Sequence, residues 1–155
     1  MLKLRAITTC LALACTPTAA PAASLVGYWY GQGYQPPIHE VTQQIIHYWD
    51  DGTFDIHFRI YKNCVLTFDQ REAGTWVLRG PSGYRIVTTS VGGVPMSPPA
   101  TDDYRLEELT EQHTRYVHLA TAVEYTADRV DEKFTFPDCA SISLSGGNRA
   151  GGPAS

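Results

Sequence analysis

The chain has 155 residues, of which 43% are hydrophobic, 11% aromatic and 18% charged. A charged share below the roughly 25% of ordinary globular chains, with this much apolar content, excludes a disordered polypeptide. Twelve basic against sixteen acidic side chains give a net charge of −4 and no footprint for nucleic acid. No apolar run reaches the roughly 18 residues of a spanning helix, so no membrane span is expected.

Residues 1–22 read as a secretory signal. Lys3 and Arg5 make a short positive start, and Ala6 to Cys15 carry an uncharged apolar stretch. Thr16 to Ala23 is rich in small residues and holds Ala20-Pro21-Ala22, which fits the small-x-small cleavage rule after Ala22. Export to a bacterial periplasm or beyond is the expectation. The alternative is lipoprotein anchoring through Cys15, because Leu11-Ala12-Leu13-Ala14-Cys15 is similar to a lipobox with Leu and Ala exchanged.

Residues 23–140 read as strands and turns. Turn chemistry recurs at Gly31-Gln32-Gly33, Gln35-Pro36-Pro37, Asp50-Asp51-Gly52, Gly80-Pro81-Ser82-Gly83 and Val91 to Asp103. The segments between them are rich in Val, Ile, Thr, Tyr, Phe and Trp. They predict strands at 25–34, 41–49, 53–61, 64–69, 73–79, 83–90, 104–110, 113–120 and 122–131. Nine short strands at close spacing indicate a sandwich or a barrel. Val91 to Asp103 is long for a connection and reads as a hairpin tip or a lid over one end. Residues 141–155 have almost nothing to bury and read as a disordered tail.

A register follows for one hairpin. With Asp51-Gly52 as a two-residue turn, Trp49 faces Phe54, His47 faces Ile56 and Ile45 faces Phe58. Ile45, His47, Trp49, Phe54, Ile56 and Phe58 then share an apolar face, opposite Thr42, Gln44, Ile46, Tyr48, Asp55, His57 and Arg59. Once the signal is removed, Cys64 and Cys139 remain, and an even pair in an oxidising compartment predicts a disulfide. Closing a loop of about 75 residues in this way is worth roughly 4 kcal/mol in chain entropy. Two buried free thiols are the other reading.

Leu25-Val26-Gly27-Tyr28-Trp29 carries a Gly-x-Trp motif, and Arg129 ends the last predicted strand. With these features the chain resembles the calycins, the lipocalin-like barrels. The resemblance implies a single antiparallel up-and-down β-barrel of about nine or ten strands. It also implies that Trp29 plugs one end with Arg129 packed across its ring, and it fits a disulfide from mid-barrel Cys64 to the C-terminal Cys139. A second Gly-x-Trp, Gly74-Thr75-Trp76 after Glu72, is similar to bacterial lipocalin-like domains. Gly27-x-Trp29-x-Gly31-x-Gly33 resembles the opening of the haem-binding nitrobindins, but Gln35 stands where that repeat has Gly. No His lies in 122–131, where that family places its haem ligand.

Among the five histidines no pair has tight metal spacing. His39, His57 and His113 read as surface residues, and His118 alternates with Tyr116 and can point either way. His47 is the one ionisable group on the apolar face derived above. It reads as a satisfied core histidine or as a group that orients a ligand in an apolar lumen. Asp102, Asp103, Glu107, Glu108 and Glu111 read as a solvated acidic face, and no nucleophile elbow is present. The expected function is non-covalent binding of a small apolar or amphipathic molecule by Ile45, His47, Trp49, Phe54, Ile56, Phe58 and His118. This reading leans toward a binder over an enzyme, with no metal expected and haem as the alternative cofactor. The alternatives are a haem-dependent or other barrel enzyme using His47 or His118, and an envelope protein-interaction module with a filled barrel.

Overall fold

A computed structural model describes residues 23–35 and 38–145. The expected signal, Cys15 within it, the Pro36-Pro37 turn and residues 146–155 lie outside that range. The fold is a closed antiparallel barrel of eight strands in simple up-and-down order. They are β1 (Gly27–Gln35), β2 (Glu40–Tyr48), β3 (Thr53–Lys62), β4 (Val65–Leu78), β5 (Gly83–Val91), β6 (Val94–Leu109), β7 (His113–His118) and β8 (Glu124–Val130), followed by helix α1 (Cys139–Ser145). Among the described residues no helix is long and apolar enough to cross a membrane.

Eight strands replace the expected nine or ten because 64–69 and 73–79 are one strand, β4. Gln70-Arg71-Glu72 carries no turn residue, and the strand bends through it with a register shift between Ala73 and Gly74. A Cβ at Gly74 would fall 2.0 Å from the Val87 carbonyl oxygen, so only glycine permits the close approach. The expected Val91–Asp103 loop is also a correction. It is a Gly92-Gly93 turn followed by the first half of β6. Met96 to Pro99 have no partner across β5, where the register jumps from Thr88↔Ala100 to Ser90↔Pro95. Proline is tolerated at such an interruption because no ladder donor is required there.

The β2–β3 hairpin corrects the derived register by one residue. Trp49 N–H donates to Thr53 O at 2.9 Å, and Gly52 N–H donates back to Trp49 O at 3.3 Å. Gly52 adopts φ 83°, completing a three-residue loop with a glycine bulge rather than a two-residue turn. Asp51 holds it by accepting from Thr53 N and Thr53 Oγ1, at 2.9 and 2.6 Å. Tyr48 therefore faces Phe54, Ile46 faces Ile56, and Gln44 faces Phe58. One extra turn residue sends all of β2 to the opposite face. Ile45, His47 and Trp49 point outward, while Phe54, Ile56 and Phe58 point inward as expected.

The lower half of the lumen is filled. Leu25, Trp29, Ile46, Tyr48, Phe54, Tyr84, Ile86, Tyr116 and Ala127 are buried together, with Ile56, Trp76, Tyr104, Leu106 and Leu109 packed on them. Each large side chain so buried contributes about 1.5–3 kcal/mol. Trp29 is 1% exposed and plugs the floor, with the Arg129 guanidinium 4.3 Å from its ring centroid.

The C-terminal segment crosses the outside of β1–β3. Phe134 and Phe136 pack on Tyr30, and Phe136 also meets His57 and Arg59. Val41, Cys139 and Ile142 form a second buried cluster with Tyr34 and Tyr61. The Cys64–Cys139 disulfide ties this cover to the β3–β4 turn, as expected. Residues 141–145 belong to α1, which corrects the disordered reading over that stretch.

Candidate functional site

Alternation along the inner face leaves the upper half of the lumen to a different set of side chains. Inward positions there are Thr42 and Gln44 on β2, Phe58 and Ile60 on β3, Phe68, Gln70 and Glu72 on β4, and Asp102 and Tyr104 on β6. Tyr116 and His118 on β7 and Tyr125 on β8 complete the wall. The remaining inward positions at this level are small: Gly31 and Gly33 on β1, Thr88 on β5 and Ala100 on β6.

Tyr116 roofs the filled half and accepts from Gln44 Nε2 at 2.9 Å. Tyr104 and Tyr125 flank it with ring centroids 5.5 Å away. His118 lies 5.1 Å from Tyr104, and its Nε2 meets Asp102 Oδ1 at 3.0 Å. Its Nδ1 meets Thr121 Oγ1 at 2.8 Å. Nε2–H can donate to Asp102, and the Thr121 hydroxyl can donate to Nδ1 or accept from it. Gln70 Nε2 donates to Glu72 Oε1 at 2.6 Å. Burial first, and then the nearby Asp102 carboxylate, push the Tyr104 and Tyr125 hydroxyls above their ordinary range. Both stay protonated and available as donors.

These inward side chains are not sealed off. Phe58, Ile60, Gln70, Glu72, Asp102, Tyr104 and His118 are all half-buried, and Tyr125 is 38% exposed. Solvent reaches them from the upper end, where β4 before Glu72 has no β5 partner and Met96 to Pro99 leave β5. The rim around this end is apolar, with Ile38, Val65, Leu66, Val94, Leu119 and Val123 exposed. Between β4 and the β5–β6 turn an open cleft of about 550 Å³ is lined by Asp69, Gln70, Arg71, Val91, Gly92 and Gly93.

Of the expected ligand contacts, Phe58 and His118 lie in this upper lumen. Phe54 and Ile56 belong to the filled half. Ile45, His47 and Trp49 do not line the lumen. His47 lies outside, stacked 3.8 Å from Tyr28 and tilted 3.8 Å from Trp49. Neither histidine is free to take an iron inside the barrel: His47 faces away, and both ring nitrogens of His118 are engaged. Among the described residues no three His, Cys, Asp or Glu side chains gather as a metal-binding group.

Of the expected acidic face, Asp102 points inward, opposite Ile86. Its neighbours follow the surface reading: Asp103 pairs with Arg85 and Glu107 with Arg105 on the outside. The alternation Asp102, Tyr104, Leu106 carries that signal, and it is masked by the acidic run around it. Glu72 and Gln70 were hidden by the apparent strand break. His57 stands on the outer ladder with Asp69 and Arg59, and His113 pairs with Asp128. Comparison with protein-family models and with curated proteins yields no match.

Proposed function

We propose that this protein is an exported binding protein of the calycin type, which holds a small amphipathic molecule non-covalently in the upper half of its barrel. The observation that carries the reading is the half-buried state of inward-facing Phe58, Ile60, Glu72, Tyr104 and His118 above a filled floor. Apolar side chains with a few placed polar groups are the usual lining of a ligand site. The Trp29–Arg129 stack at the closed end supports calycin kinship, and the Cys64–Cys139 bond supports an oxidising compartment. A fold of this kind does not by itself fix a function, so the argument rests on the lining.

Binding of a neutral naphthalene probe, followed by its fluorescence, tests the reading. Ala100 faces inward opposite Thr88, so Ala100→Trp places a bulky ring in the open half. The wild type should bind the probe and Ala100→Trp should not, with the variant's folded spectrum retained. A wild type that ignores apolar probes would mean a filled barrel.

A further inference from the structure

We propose that the open end of the barrel docks on a bilayer surface of zwitterionic lipid, with the tips of four turns seated among the headgroups. The inference goes beyond the lumen reading above and does not depend on it.

Up-and-down order sends the turns β1–β2, β3–β4, β5–β6 and β7–β8 to one end, opposite the Trp29 floor. Each of the four presents exposed apolar side chains: Ile38, then Val65 and Leu66, then Val94, then Leu119 and Val123. The floor end exposes fewer, Val77 and Leu78 beside Arg79. Charge divides the two ends in the same way. The floor-end segments carry Asp50, Asp51, Arg79, Glu111, Asp131 and Glu132. At the open end no charged residue occurs from Ile86 to Thr101, or from Leu119 to Val123. The barrel is therefore amphipathic along its axis. An exposed apolar surface with a polar remainder marks a contact with protein or with membrane.

Two features favour lipid. The apolar side chains stand on separate tips around an opening, whereas a specific protein interface has one closely packed core. A bilayer interface closes around each tip on its own, and its headgroups satisfy the turn backbones as hydrocarbon could not. An added Cβ at Gly92 or Gly93 would meet nothing within 4 Å, so the β5–β6 tip stands clear of the rest of the barrel. The outer wall carries the ion pairs Arg59–Asp69, Arg85–Asp103 and Arg105–Glu107. Charges of that kind are excluded from a lipid-facing wall, so the barrel stands on the bilayer and does not span it.

The charge at this end specifies zwitterionic lipid. Anionic surfaces are held by clusters of Lys and Arg. Among the described residues, Lys62 is the one Lys or Arg flanking the four turns, and it faces Glu40 across β2–β3. Apolar burial is left as the driving force.

Sedimentation with phosphatidylcholine vesicles tests the assignment, on the disulfide-bonded chain from residue 23 onward. The protein should sediment with the vesicles, and adding phosphatidylglycerol or salt should change the bound fraction by less than about twofold. Val94→Asp and Leu119→Asp should each lower partitioning about 3- to 10-fold, the range for one apolar side chain kept from burial. Leu78→Asp, at the floor, should leave it unchanged. Leu119→Trp fluorescence should be quenched by lipid brominated near the headgroups, and Leu78→Trp fluorescence should show less quenching. No sedimentation overturns the proposal, as does equal loss in the Leu78→Asp variant. Binding that needs phosphatidylglycerol and vanishes in salt overturns the zwitterionic assignment. Self-association abolished by Leu119→Asp, without vesicle binding, assigns the surface to a second copy instead. Should the Asp variants not fold, the two Trp variants still decide which end meets the lipid.

Discussion

Arg129 and Trp29 face each other across the β8–β1 pair that closes the barrel, with the guanidinium 4.3 Å from the indole ring centroid. The indole Nε1 donates to Leu25 O at 2.6 Å. The guanidinium donates to Glu111 O at 2.5 Å, Val26 O at 2.7 Å and Ser24 O at 2.6 Å. One planar cation thus joins the N-terminal segment, the β6–β7 turn and the floor. Lysine keeps the charge but lacks the planar fork that spans three carbonyls. Arg129→Lys should lower unfolding free energy by about 1–3 kcal/mol, the cost of unmet hydrogen bonds at a packed site. Coincident urea midpoints for wild type and variant would show that the stack is decorative.

The Cys64–Cys139 bond spans 75 residues and fastens the C-terminal cover over Val41. Reduction should cost about 2–5 kcal/mol. It should also raise hydrogen exchange at the outer face of β2 before the barrel melts, because the cover is the part released. Denaturation curves that do not move with reductant would contradict this.

Gly74 is the tightest backbone contact in the barrel wall, with an added Cβ falling 2.0 Å from Val87 O and 3.0 Å from Phe54 Cε1. Neither neighbour is the end of a flexible chain. Gly74→Ala should therefore cost about 3 kcal/mol or more, at the upper end for overpacking. Gly92, with open space around its Cβ, is the control for glycine loss as such, strained only by its φ of 58°. A melting temperature for Gly74→Ala above that of Gly92→Ala would refute the close-approach argument.

His47 links stability to pH. Burial between Tyr28 and Trp49 holds its imidazole below the ordinary value of 6.5, against the opposing pull of Asp55 across the strand pair. Its Nδ1 is buried without a hydrogen-bond partner. The folded state therefore binds the His47 proton less tightly than the unfolded chain does. The stability associated with the neutral ring is complete above the unfolded value and is lost as pH falls through the folded one. Between about pH 7 and pH 5, wild type should lose more stability than His47→Phe, which keeps the ring stack without the titration. Parallel losses in the two proteins would remove His47 as the source.

Much of the fold was legible in local chemistry. Strand-rich segments between Gly, Pro and Asp turns indicated an all-β sandwich or barrel, the resemblance chose the barrel, and the expected Cys64–Cys139 pair forms. Trp29 and Arg129 were legible through the resemblance, and they stack in the structure. The candidate site was far less legible. Period-2 alternation assigns a strand's two faces but not which one is inside, and β2 is apolar on both. Its inner face meets the core, while its outer face lies partly under Phe134, Phe136 and α1. A single residue in the Asp50-Asp51-Gly52 loop then decided that Ile46 and Tyr48, not His47 and Trp49, enter the barrel. Glu72 and Asp102 became neighbours of Tyr104 only when β4 and β6 closed around the same lumen, from segments about 30 residues apart in the chain. The sequence by itself marked most of the strand-forming segments and the two cysteines that pair. Closure of the sheet decided which side chains share an interior, because facing depends on turn lengths and on the cover outside.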